Sequence, residues 1–164
     1  MKHLFRLLAL TVCLSAFVIP HSSFASDLSI TATNVKPGAN AIIRRDWTAG
    51  EAITAGQLVY RSSSDFKVYK ADSDSGTAAV RDCIGFALNS AALGAPVFVD
   101  IEDDDLTIGA TVANGTVYIL SATAGGIAPL ADATTGWYVT VVCVGKSTTK
   151  VAFRAKPIRS ATAL

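Results

Sequence analysis

The sequence predicts an all-β fold, a small β-barrel or sandwich built from two related units of about 60 residues and preceded by an extended N-terminal arm. Three observations carry this reading. Short runs rich in β-branched and aromatic residues recur from residue 51 onward, each closed by Gly, Ser, Asp or Pro. No segment is long and periodic enough for a stable helix, since the one competitor, Thr77 to Arg81, offers a single turn. The two halves of the chain also share their punctuation.

In chain order, residues 1–25 predict an export signal. Lys2, His3 and Arg6 form a basic start, Leu7 to Ile19 an apolar run, and Pro20 a breaker, and Ser23-Phe24-Ala25 predicts cleavage after Ala25. The run is shorter than the roughly 20 residues that span a bilayer, so no stable membrane insertion is expected after cleavage. Val12 is too large for a lipoprotein cleavage box ahead of Cys13. On this pattern the destination is periplasmic or extracellular.

Loss of Lys2 and Arg6 leaves 12 basic side chains against 13 acidic ones, which gives no global pull toward nucleic acid. Arg44-Arg45 and the tail Arg154, Lys156, Arg159 are local exceptions, read as solvated surface or as contact with an acidic partner. Both histidines, His3 and His21, fall in the predicted leader. The mature chain therefore lacks the base for Ser-His-Asp or Cys-His catalysis and the ligand for a His-bound metal.

Residues 26–50 read as an irregular arm: Leu28, Ile30 and Ala32 alternate with polar residues, Lys36-Pro37-Gly38 interrupts, and Ala41-Ile42-Ile43 resumes. Residues 51–164 form the β domain. Its strands are expected at Gln57 to Tyr60, Phe66 to Tyr69, Cys83 to Leu88, Pro96 to Val99, Thr116 to Leu120, Tyr138 to Val142 and Lys150 to Phe153.

The repeat is expected over about 51–91 and 109–149. Gly56 and Gly115 each precede a strand, Ile53-Thr54-Ala55-Gly56 resembles Val112-Ala113-Asn114-Gly115, and Asp72 to Cys83 matches Asp132 to Cys143 in length. Ala113-Asn114-Gly115 is a tight-turn signal because Asn and Gly tolerate positive φ. Gly125-Gly126 should reverse the chain, and Gly85 and Gly145 should mark bulges or close approaches.

Little in the domain looks chemical. Cys83 and Cys143 stand between apolar neighbours and read as free buried thiols, with a disulfide between them as the alternative in an exported protein. Glu102-Asp103-Asp104-Asp105 reads as an exposed acidic turn; calcium is the minority reading, because EF-hand spacing is missing. Asp72-Ser73-Asp74-Ser75-Gly76 is a similar turn. No catalytic, cofactor-binding or metal-ligating set is predicted, and no phosphate-binding glycine loop is present.

The runs "GEAITAGQLVY" (50–60), "VYKADSDSGTAAVRDCIGFALNSAALGAPVFV" (68–99) and "IGATVANGTVYILSATAGGIAPLADATTGWYVTVVCVGKSTTKVAF" (108–153) resemble the capsid cement, or head decoration, proteins of tailed bacteriophages. The last run is the most specific. The resemblance implies a non-enzymatic β protein on the outside of an assembled capsid, commonly a homotrimer, whose partners are the major capsid protein and itself. It also implies a place on the virion surface, from which the leader departs, because capsids assemble in the cytoplasm. The arm would then be free to order on a neighbouring subunit. The alternative is a secreted or periplasmic binding module, adhesin-like or carbohydrate-binding, with Trp47, Trp137, Tyr118 and Tyr138 as its aromatic platform.

Overall fold

The computed structural model describes residues 27–164, the side chains of 155–159 excepted. The predicted leader lies outside the described residues. The chain is all-β, and its antiparallel sheet curls into a half-barrel. The strands are β1 (Val35–Lys36), β2 (Ile42–Thr48), β3 (Leu58–Arg61), β4 (Val68–Lys70), β5 (Gly85–Ala87), β6 (Pro96–Ile108), β7 (Val117–Leu120), β8 (Ile127–Pro129), β9 (Thr140–Gly145) and β10 (Lys150–Arg159). They run in the order β4-β3-β5-β6-β10-β9-β7-β8, with β1 and β2 also paired to β6.

β6 is the spine. Its first half pairs with β2 and β5, and its second half with β1 and β10. Burial changes phase along it: Val97 and Val99 enter one apolar cluster, whereas Leu106 and Ile108 enter another. Strands β3, β5, β7, β8 and β9 are largely buried, with residues in clusters on both faces of the sheet. Leu58, Phe86, Tyr118, Leu120, Ile127 and Phe153 fill a central cluster between the two halves of the sheet. Val59, Val68 and Ala87 back the first half, and Ile119, Ala128 and Trp137 back the second. Two-sided burial explains why "QLVY" and "VYIL" are continuous apolar runs without polar alternation.

Local geometry follows the turn residues. Gln57 N–H donates to Thr54 O (3.2 Å) and Thr116 N–H to Ala113 O (3.2 Å), with Gly56 at φ +90° and Gly115 at φ +76°. Only glycine adopts such angles freely at the third turn position. Each turn feeds a hairpin, β3–β4 or β7–β8, and a third strand, β5 or β9. The cysteines do not match within this pairing. Cys143 lies opposite Tyr118 inside β9, whereas Val59 faces Gly85 and Cys83 precedes β5. The equal Asp-to-Cys intervals thus do not mark equivalent positions.

Two expectations are corrected. Residues 26–50 are not an irregular arm from residue 28 on. Leu28 N–H donates to Ile127 O and Thr31 N–H to Gly109 O, both at 2.8 Å; Val35 is buried; and β2 is a seven-residue strand on β6. Leu28, Ile30 and Ala32 pack on the central cluster, which is where their apolar alternation leads. Nor is Glu102 to Asp105 a turn, because it lies within the 13-residue β6. The cations that neutralise it come from β10 and the β9–β10 turn, more than 40 residues away.

Candidate functional site

The acidic stretch of β6 is consumed by the fold. Asp105 pairs with Lys150 and, at 3.3 Å, with Lys146; Glu102 pairs with Arg154 at 2.8 Å. The Lys150 ammonium holds the Asp105 carboxyl below the usual carboxylate range, with Lys146 assisting. Asp103 is buried and accepts the N–H groups of Gly38 (2.6 Å) and Asp105 (2.8 Å). Asp100 is also fully buried, and neither of its oxygens has a hydrogen-bond partner. Burial, reinforced by the nearby Asp103 charge, raises its carboxyl to about 7. Among the described residues no group of three or more His, Cys, Asp and Glu is placed to hold a metal ion.

Cys83 and Cys143 are free, buried and part of the central cluster. Burial pushes the Cys83 thiol up to about 12 and raises that of Cys143 too, where Cys83 adds to the effect. Neither is a thiolate nucleophile near neutral pH.

The four aromatics considered for a platform are not brought together on an open surface. Trp137 and Tyr118 are buried, and the Tyr118 hydroxyl accepts the Ala113 N–H at 2.9 Å. Tyr138 is covered by the Arg81 guanidinium, 3.7 Å from its ring centre. Trp47 is half-buried between Arg44 (5.5 Å) and Arg61 (5.4 Å).

That last arrangement continues outward. Arg61 also lies 5.1 Å from the ring of Phe66, and its Nε donates to Phe66 O at 3.0 Å. Arg45 covers Phe98 at 5.2 Å. Phe66 is 63% exposed and, at φ +59°, is the one described non-glycine residue with positive φ. Strand reasoning placed Phe66 at the start of a strand and passed over Arg61. The serine and aspartate residues of Ser62-Ser63-Ser64-Asp65 were the available sign that Phe66 belongs to the turn.

Open concavities have mixed linings. One, of about 500 Å³, is lined by Ser29, Thr31, Asn34, Lys36, Thr107 and Thr149. Another, of about 320 Å³, lies beside Arg81, Tyr138, Thr140 and Ser160. Comparison with known protein families and with curated proteins finds no match to this chain.

Proposed function

We propose that this chain is a non-enzymatic structural subunit that decorates and stabilises an assembled phage capsid, as a homotrimer bound to the major capsid protein. The observation that carries the reading is the stretch resembling decoration proteins, residues 108–153: it is spent on β7 to β10 and their turns. Its side chains build strands and hold β6, and what remains for function is surface. A subunit that binds only where capsid proteins meet adds its binding energy to the assembled state and not to free subunits. We infer also that the two hairpin-plus-strand groups are related units, a reading supported by the shared turns at Gly56 and Gly115.

Sedimentation with assembled capsids of tailed phages tests the proposal. The expected result is pelleting with assembled capsids, none with free capsid protein, and a trimer by light scattering. Failure to pellet with expanded capsids overturns it. A secreted binding module is the second reading, favoured by the leader pattern at residues 1–25. A mature N-terminus at Ser26 in culture supernatant is the result expected of that reading.

A further inference from the structure

We infer that the face formed by Arg44, Trp47, Arg61 and Phe66 docks an acidic protein segment that also carries apolar side chains. The inference goes beyond the proposed function by naming the partner's chemistry, and it rests on that reading only for the partner's identity.

The arrangement is a ladder in which two guanidinium groups flank Trp47 and the second also underlies Phe66. Stacked guanidinium groups keep their N–H edges pointing outward, and those edges match carboxylates in geometry as well as charge. Arg61 spends only Nε, on Phe66 O, and its terminal nitrogens have no partner among the described residues. Arg44 is held by Asp46 at 3.3 Å, in a pair whose side chains are 48% and 65% exposed and which a better-placed carboxylate can replace.

The apolar half of the face is equally open. Phe66, 63% exposed, is projected by a backbone conformation that a side chain opposes. Strain and an exposed aromatic at one spot mark a surface shaped for contact. Aromatic and arginine side chains are also the usual anchors of protein interfaces. Charge complementarity selects an acidic partner.

The test is binding of the full chain to an immobilised synthetic peptide of alternating glutamate and leucine, with a lysine–leucine peptide and oligothymidylate as competitors. Expected are binding to the acidic peptide that weakens with ionic strength, and losses of about tenfold or more for Arg61→Ala and for Phe66→Gly. Glycine suits the φ of residue 66, so loss in that variant cannot be laid to misfolding. Lys36→Ala, at a separate concavity, should bind as the parent does. No binding to the acidic peptide, equal binding by the Arg61 and Phe66 variants, or tighter binding to oligothymidylate overturns the inference. Peptide binding without capsid sedimentation would sink the proposed function and leave this inference standing. Capsid sedimentation that Arg61→Ala leaves unchanged, without peptide binding, does the reverse.

Discussion

The Asp103 carboxylate, buried on β6, accepts the backbone N–H of Gly38 at 2.6 Å across 65 residues of sequence. Its other oxygen accepts the N–H of Asp105 at 2.8 Å. One side chain therefore fixes the turn between β1 and β2 and bridges the irregular register of its own strand against β10, where the burial phase changes. Replacing Asp103 with alanine leaves two backbone donors without their charged acceptor. The expected cost is about 3 kcal/mol, since each hydrogen bond to a charged group contributes roughly 1.5–3 kcal/mol and neighbouring losses do not add fully. Urea unfolding should report it as a lower midpoint at unchanged slope.

Residues 27–34 act as a strap across the two halves of the sheet. Leu28 bonds to β8 and Thr31 to the segment after β6, while Leu28 and Ile30 pack on the central cluster. Ile30 also sits against Gly56, where an added Cβ would come within 2.5 Å of its Cγ2. Deleting 27–34 should cost about 3–5 kcal/mol, taking roughly 1.5–3 kcal/mol for each large apolar side chain buried and discounting for partial exposure. A lower melting temperature and new binding of a hydrophobic dye are the expected readouts. A truncation that melts like the parent would return these residues to the role of a free arm.

The thiols provide a check on the core. Cys83 and Cys143 are both 2% exposed, and burial raises both thiols. A thiol-reactive reagent at pH 8 should leave both untouched in the native protein and modify both after denaturation without reductant. Resistance to labelling in denaturant that reductant relieves would mean that the two are bridged.

What was legible in the sequence was local. The turn glycines at 56 and 115 and the reversal at Gly125-Gly126 follow from φ preferences that neighbours barely alter. The apolar runs marked strands because both of their faces are buried. What was hidden depended on distant partners. Four consecutive acidic residues look wrong for a strand until Lys146, Lys150 and Arg154 come alongside. Residues 28–36 look irregular because their hydrogen bonds go to Gly109 and Ile127. The Arg44–Trp47–Arg61–Phe66 ladder joins two strands and a turn that no spacing rule connects.

The buried Asp100 sets a pH dependence whose sign is opposite to that of an ion-paired carboxylate. Its carboxyl is raised from 3.8 to about 7 in the folded chain, chiefly by burial and then by the Asp103 charge. Between those values the unfolded chain releases a proton that the folded chain retains. The contribution of this group is therefore fully present below pH 3.8 and is lost as pH rises through 7. The loss amounts to about 4 kcal/mol at 1.36 kcal/mol per pH unit. Asp105, lowered by Lys150, acts in the other direction, with its contribution lost as pH falls below the ordinary carboxylate range. The two effects separate in pH. Asp100→Asn keeps the shape of the side chain and never ionises, so it should flatten the decline between pH 4 and 7 and unfold at higher urea than the parent at pH 7.5. Parallel stability profiles for parent and variant across that range would show that Asp100 titrates normally in the fold.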